Sequence, residues 1–336
     1  MSLIAPIRPW GGGGIVERLW WAALAQRQEL WGFRFDYPVA PVPAAGPRDS
    51  LHYYVFSERL FFDAMEPDAA GIPVHRSRHF RTYNPAYVAW FGLTSLERWL
   101  RREDENGRAA FWRQVAWLKT HAVERPDGSA VWHYTFAWLE GRCPLKAPWI
   151  SAMSQGLGIS CLVRAHRLAP DPDLIALARR AARVFDLPVA HGGVRTEEAG
   201  RVMYEEYPGF PLPRVLDGFL FGLLGLYDLA AEGDAAARRL FTEGIAGLTQ
   251  GIRFWDYRGR WSWYGSHGYL CPPQYNKLNG ALLEALGRLA DAPVLRDYAR
   301  AWSPGRLSLR ERVEVYLVFL FTKNRSRLRH LFRRMA

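Results

Sequence analysis

The sequence has little cysteine and no long apolar segment. Its three cysteines, Cys143, Cys161 and Cys271, are odd in number and far apart, which argues against a disulfide framework and against a thiolate metal site. No run approaches the roughly 20 apolar residues of a membrane span. Charged residues interrupt the apolar positions of residues 1–31, unlike the continuous apolar core of a signal peptide. We therefore expect a cytoplasmic protein that holds no metal.

The sequence also has too few acidic residues to balance its basic ones. Lys and Arg number 44 against 33 Asp and Glu, for a net charge of +11, which predicts a polyanionic glycan, nucleic acid or an anionic membrane surface as partner. Nucleic acid is the weakest of the three, because the chain has no Walker-type loop and no recognisable nucleic-acid module. The 15 Trp, 15 Tyr and 18 Phe residues suit either sugar rings or gaps in a helical core.

Local patterns divide the chain into three segments before its basic end. Residues 1–32 combine a glycine run with an amphipathic pattern, which predicts an N-terminal helical extension. Prolines break residues 33–83 into short strands and turns, and from 84 to 303 helical segments repeat with short breaks. We expect residues 33–303 to form one mainly α domain, an (α/α) barrel or toroid with short β-hairpin segments in its N-terminal part. One such hairpin is predicted at Asp127-Gly128.

Residues 304–336, called the basic tail here, differ from the rest of the chain. An apolar run from Val315 to Phe321 is followed by Lys323 and five arginines. This pattern fits a terminal helix with a solvated basic face. It also fits a peripheral anchor at the inner face of a membrane, where each basic residue contributes about 1 kcal/mol.

A polar cluster, Tyr204-Glu205-Glu206-Tyr207-Pro208, precedes an apolar helical pattern from Val215 to Leu229. Two carboxylates and two phenols within four residues are many titratable groups for a segment that only packs. Pro208 ends the segment, since it cannot continue a helix or a central strand. The cluster therefore indicates a functional loop at the mouth of a buried helix, the alternative being a surface turn with solvated glutamates.

Several motifs occur in the order found in one enzyme family. They are W-x-S-x-M-x-Q-G at 149–156, L-x-R-A at 162–165, Y-E-E-Y-P at 204–208, and V-L-D-G-F with L-G-L-Y-D at 215–219 and 224–228. On these residues the chain resembles the glucuronyl C5-epimerases, which convert glucuronate to iduronate within heparan-type polysaccharides. The likeness covers roughly Phe33 to Trp302.

The resemblance implies a mainly helical, (α/α)-barrel-like domain and an active site built from tyrosines and a glutamate. The catalytic residues implied are Glu206, Tyr207, Tyr264 and Tyr275. Around them we place substrate-binding candidates: Gln155, Arg164, Tyr204, Glu205, His267, Asn276 and Asn279.

Four residues depart from the family pattern at this implied site. Asn276 and Asn279 stand where the family has two histidines, His267 where it has an arginine, and Asp217 where it has an asparagine. These departures favour a rival interpretation, in which the chain is a glycan-binding protein whose catalytic site has decayed.

Inverting C5 of a glucuronate requires an acid and a base on opposite faces of the ring. Donors or cations must also stabilise the carboxylate while the proton is absent. We assign proton transfer to Tyr207 and Tyr275, helped by a cation that lowers the tyrosine pKa. Tyr264, His267 and Arg164 would hold the carboxylate, and Glu206 would orient a tyrosine or act as base. The apolar neighbours of Arg164 on its helix favour a structural ion pair over substrate binding for this residue.

The resulting prediction is a cofactor-independent epimerase acting on glucuronate in a polysaccharide or glycan precursor. A lyase is the other catalytic alternative, because it starts with the same proton abstraction. A homodimer and a peripheral membrane contact through the basic tail are left open.

Overall fold

Asn84 begins the helical part of the chain. Its side-chain oxygen accepts hydrogen bonds from the backbone N–H groups of Ala86 and Tyr87 at 3.0 and 3.3 Å, and Pro85 occupies the first helical position, which suits its missing N–H. The structure, a computed structural model, describes residues 51–57, 66–76 and 81–333. The helical extension predicted for residues 1–32 lies outside the described residues, as do most of the strands predicted before residue 66.

Within these ranges the chain forms nine α-helices. They are α1 Pro85–Arg102, α2 Glu105–His121, α3 Ala152–Leu168, α4 Pro172–Ala182, α5 Leu216–Ala231, α6 Ala235–Gly251, α7 Pro273–Leu289, α8 Pro293–Ala301 and α9 Leu309–Arg333. The prediction of a mainly α fold is therefore confirmed.

The first eight helices form four antiparallel pairs, because only a few residues separate the two members of each pair. The first members, α1, α3, α5 and α7, contact one another in that order and form an inner row, with α2, α4, α6 and α8 packed outside. Inner helices approach closely through glycine, since a Cβ atom at Gly156 would lie 2.3 Å from the Phe221 carbonyl oxygen. This order of contacts is that of an (α/α) layer. Closure into a toroid stays a prediction.

Short antiparallel strands form a three-stranded sheet and four hairpins. The sheet contains β1 Glu66–Pro67, β2 Pro73–Arg76 and β3 Arg81–Tyr83. The hairpins are β4 Val123–Glu124 with β5 Ala130–Val131, β6 Trp138–Glu140 with β7 Cys143–Leu145, β8 Arg195–Glu198 with β9 Arg201–Tyr204, and β10 Asp256–Tyr257 with β11 Trp261–Ser262.

All four hairpins connect an outer helix to the next inner helix. The predicted hairpin at Asp127-Gly128 is confirmed as β4–β5, but β8–β9 and β10–β11 show that hairpins are not limited to the N-terminal part. Because the helix pairs are antiparallel, these long connections meet at the end of the layer where the inner helices begin. Loops at this end can bring together side chains that are distant in sequence.

Helix α9, which lies in the segment expected as a basic tail, packs on the domain. Val315 and Phe319 are buried in an apolar cluster with residues of the β10–β11 hairpin, and Glu314 forms ion pairs with Arg258 and Arg260. The described part of the basic tail is thus an integral helix.

The other face of α9 carries an apolar stripe, defined by Leu309, Val313, Leu317 and Phe321, all of them exposed. Their spacing of four residues places them on one side of the helix. None of the helices that the structure describes is both long enough and apolar enough to cross a membrane.

Candidate active site

Strand β9 and the loop after it hold the polar cluster at the end of the layer where the inner helices begin. The Tyr204 hydroxyl donates to the Leu240 carbonyl oxygen at 2.8 Å. The Glu205 carboxylate accepts from the Arg214 backbone N–H at 3.1 Å. Both side chains are buried, so they anchor the loop, and the neighbouring Glu206 lies at the site.

Glu206 packs against the first turn of α5. The adjacent helical residue is Gly218, where a Cβ atom would lie 2.3 Å from the Glu206 Cβ atom, so a larger residue would displace the glutamate. Glu206 is 8% exposed, and its Oε2 atom has no hydrogen-bond partner among the described residues. Burial, and then the charges of Asp217 and Glu140, raise the pKa of Glu206 well above its ordinary value. A buried carboxyl group with one unused oxygen can accept and return a proton.

Asp217 and Glu140 lie close to Glu206 and complete a group of three carboxyl residues. Asp217 is buried in the first turn of α5, and burial, with a contribution from Glu140, raises its pKa to about 7. Glu140 accepts a hydrogen bond from Trp138 Nε1 at 2.9 Å. Its other oxygen lies 2.8 Å from His267 Nε2, in a charge contact too bent for a hydrogen bond. Near neutral pH this group can therefore hold protons as well as negative charge.

Tyrosines from the start of α7 and the loop before it surround His267. The Tyr264 ring centre lies 4.9 Å from that of His267, 5.3 Å from that of Tyr269 and 6.1 Å from that of Tyr275. The His267 side chain is only 3% exposed, and its ring packs against the backbone of Gly141. The structure thus brings together three predicted residues, Tyr264, Tyr275 and His267. With Tyr269 they are called the tyrosine cluster here.

The phenols of this site are neutral in the free protein. Burial, followed by the charge of Glu206, raises the pKa of Tyr207 well above its ordinary value. Burial and then Glu140 raise the pKa of Tyr264 in the same direction. The expectation that a nearby cation lowers the pKa of a proton-transferring tyrosine is therefore wrong for Tyr207, because desolvation and carboxylates dominate.

A flat aromatic wall stands beside Tyr207. Trp149 stacks on Tyr134 with ring centres 3.9 Å apart and an interplanar angle of 8°, and Tyr207 lies 5.8 Å from Trp149. Trp149 and Tyr134 are themselves buried, so this stack supports the Tyr207 ring from the core.

Comparison with known proteins agrees with this geometry. The family model described as the D-glucuronyl C5-epimerase C-terminus matches residues 126–304, which is more than half of the chain and contains the site. The chain belongs to this family. It is also similar to a D-glucuronyl C5-epimerase of Caenorhabditis elegans, with 31% identity over 229 residues that cover 62% of this chain and 37% of the relative. The match thus spans little more than a third of that relative.

Two predicted substrate-binding residues lie in the interior instead. Arg164 is fully buried, forms an ion pair with Asp228 at 2.6 Å and donates to the backbone carbonyls of Leu51 and His52. It lies about 18 Å along α3 from the helix start, so it stabilises the opposite end of the layer. Gln155 hydrogen-bonds only to backbone groups of neighbouring segments in the described structure. Neither is placed to contact a substrate.

The two asparagines at the family's histidine positions have structural surroundings. Asn276 accepts hydrogen bonds from the backbone N–H and hydroxyl of Ser262 at 2.9 Å and donates to the Trp302 carbonyl oxygen. Asn279 is buried and its amide nitrogen lies 3.5 Å from Cys271 Sγ. Asn276 therefore holds β11 against α7.

Sequence reasoning missed three residues at the site. Glu140 belongs to a short hairpin with no periodic signal, and Tyr269 follows a flexible Gly268. Lys323 was assigned to the basic tail, yet its Nζ atom lies 3.8 Å from the Tyr269 ring centre and 5.9 Å from that of Tyr264. Only the packing of α9 on the domain reveals this last contact.

Proposed function

We propose that the protein is an epimerase that inverts C5 of glucuronate residues in a polysaccharide or glycan precursor, without an organic cofactor. The observation that carries this proposal is the meeting of Glu206, Tyr207, Tyr264 and Tyr275 at one end of the helical layer, in a chain of the C5-epimerase family. The excess of basic residues across the whole chain is in keeping with an acidic glycan as substrate.

The position of Tyr207 directly beside Glu206 suggests how a neutral phenol serves as base. Tyr207 would pass its proton to the Glu206 carboxylate as its oxygen takes the C5 proton, so that no free phenolate need form first. Burial raises the pKa of both Tyr207 and Glu206, so Glu206 would hold the transferred proton more tightly than an exposed carboxylate does. This pair replaces the cation-activated tyrosine expected from the sequence.

Tyr275 would then donate a proton to the opposite face of C5. Tyr264 and His267 are placed near it to donate hydrogen bonds to the substrate carboxylate, whose oxygens gain negative charge when the C5 proton leaves. Proton exchange with solvent restores the starting states of Tyr275 and Glu206.

The direct test is incubation with heparosan-type and other glucuronate glycans in deuterated water, with deuterium at C5 followed by NMR. We expect incorporation by the wild type and a loss of about 10²-fold or more in Tyr207→Phe and Tyr275→Phe. Tyr204→Phe is the matched control, since its hydroxyl bonds to backbone away from the site, and it should retain exchange.

Two outcomes would contradict the proposal. If no uronate glycan shows C5 exchange, the epimerase proposal is overturned. An unsaturated product that absorbs in the ultraviolet would identify a lyase. Dimer formation and cellular location stay predictions from the sequence.

A further inference from the structure

Helix α9 brings a lysine to the tyrosine cluster from outside the span that matches the family. The Lys323 Nζ atom lies 3.8 Å from the Tyr269 ring centre and 5.9 Å from that of Tyr264, whereas the family match ends at residue 304. Tyr264 and Tyr269 stack on each other at 5.3 Å, so the ammonium group sits against one face of the cluster.

The position of this lysine is set by packing. Phe319, four residues earlier and on the same helix face, is buried, as is Val315. The neighbouring Thr322 hydroxyl accepts a hydrogen bond from the Leu270 backbone N–H at 3.3 Å. These contacts fix the helix against the loop that carries Tyr269, so the Lys323 ammonium group lies against the Tyr269 ring while the residue stays partly exposed.

The charge balance of the site gives this ammonium group a function. Glu140, Glu206 and Asp217 are acidic, and the one histidine of the cluster, His267, already contacts Glu140. A uronate carboxylate entering among these groups would be repelled unless a cation faced it. The predicted cation Arg164 is buried at the other end of the layer, with Asp228 as its ion-pair partner.

We propose that Lys323 binds the carboxylate of the sugar substrate and thereby selects uronates over neutral hexoses. This inference rests on the proposed function, since it names the group that holds the substrate of that reaction. An ammonium group suits the task because it is a compact charge with three donors on a flexible stem that can shift from the Tyr269 ring to an anion.

The test compares three variants on the same helix. Lys323→Met removes the charge and keeps the aliphatic stem, Lys323→Arg keeps the charge, and Arg325→Met removes an equal charge from an exposed position two residues away. We expect Lys323→Met to raise KM for a glucuronate oligosaccharide about tenfold or more. Lys323→Arg should recover part of this loss, and Arg325→Met should stay within about twofold of the wild type.

Binding is also measured by calorimetry in the Tyr207→Phe background, where turnover does not interfere. In this background, Lys323→Met should weaken binding of the glucuronate oligosaccharide and leave binding of a neutral glucose oligosaccharide unchanged. Circular dichroism checks that each variant is folded.

The outcomes separate this inference from the proposed function. If the wild type exchanges C5 hydrogen but Lys323→Met matches Arg325→Met in KM and in binding, the lysine assignment is overturned and the epimerase proposal stands. If the wild type binds the uronate without exchange, the epimerase proposal fails, and the binding comparison alone decides about Lys323. If the wild type neither binds nor exchanges any uronate glycan, both are overturned.

Discussion

Asp217 should make the protein less stable as the pH rises toward neutrality, and Asp217→Asn should remove this effect. Burial first, with a contribution from Glu140, raises the pKa of Asp217 to about 7 in the folded protein, against about 3.9 in an unfolded chain. The folded state therefore binds a proton more tightly than the unfolded state between about pH 4 and pH 7, and stability falls across that window. The difference of about three pH units corresponds to about 4 kcal/mol at most.

The assay is urea unfolding of the wild type and of Asp217→Asn at several pH values from 4 to 8. The two proteins should differ least near pH 4, and the variant should gain up to about 4 kcal/mol relative to the wild type by pH 8. Asparagine is close to aspartate in size and cannot ionise, so the substitution removes the titration with little change in packing. Parallel stability curves for the two proteins would refute the reasoning. The difference between the curves includes Glu206, because the charge of Asp217 contributes to its raised pKa.

Asp217→Asn should also alter the pH dependence of substrate binding. Ionisation of Asp217 above about pH 7 adds a negative charge beside the proposed carboxylate site, so KM should rise with pH in the wild type and less so in Asp217→Asn. Glu205→Gln is the control. Glu205 is also buried with a pKa raised to about 7 by burial, but its carboxylate anchors the Arg214 backbone, so this variant should change the pH dependence of stability and leave that of KM intact.

Three further predictions concern packing and surfaces. Arg164→Met leaves Asp228 buried without its ion-pair partner and should lower the free energy of unfolding in urea by about 3–5 kcal/mol, without changing C5 exchange per folded molecule. Adding Asp228→Asn to this variant should recover part of the lost stability. Loss of C5 exchange in folded Arg164→Met protein would contradict the structural role. Gly218→Ala inserts a methyl group 2.3 Å from the Glu206 Cβ atom. It should lower the free energy of unfolding by about 1–3 kcal/mol and abolish C5 exchange. A variant as active as the wild type would show that Glu206 need not hold this position. If the apolar stripe of α9 contacts an anionic membrane, the wild type should sediment with phosphatidylserine vesicles and Leu317→Glu should not; a wild type that stays in the supernatant would exclude the contact.

The helices could be predicted because their signals are local. The Asn84 cap followed by Pro85 marks the start of α1, and the apolar composition from Val215 to Leu229 marks α5 as buried. Tyr207 and Glu206 were also found from the sequence, since their motif places both on one short loop. Local hydrogen bonding and periodicity are properties of neighbouring residues, so they can be recognised without the fold.

The functions of single polar residues were harder to predict. Arg164 and Lys323 are both cations beside apolar residues in helices, yet one is an interior ion-pair partner and the other lies against the tyrosine cluster. Asn276 stands at a motif position but holds β11 through Ser262. These differences depend on which end of a helix a residue occupies and on what packs against it.

The sequence by itself determined the class of fold and the family, because motif order and helical pattern are written along the chain, and it proposed the tyrosines and glutamate of the candidate site. Only the tertiary structure decided which carboxyl groups share the site, why its tyrosine pKa values are raised, and that Lys323 belongs there. The physical reason is that burial and charge depend on distances in space. Glu140, Glu206 and Lys323 are brought close to one tyrosine cluster only when the helical layer and α9 have packed.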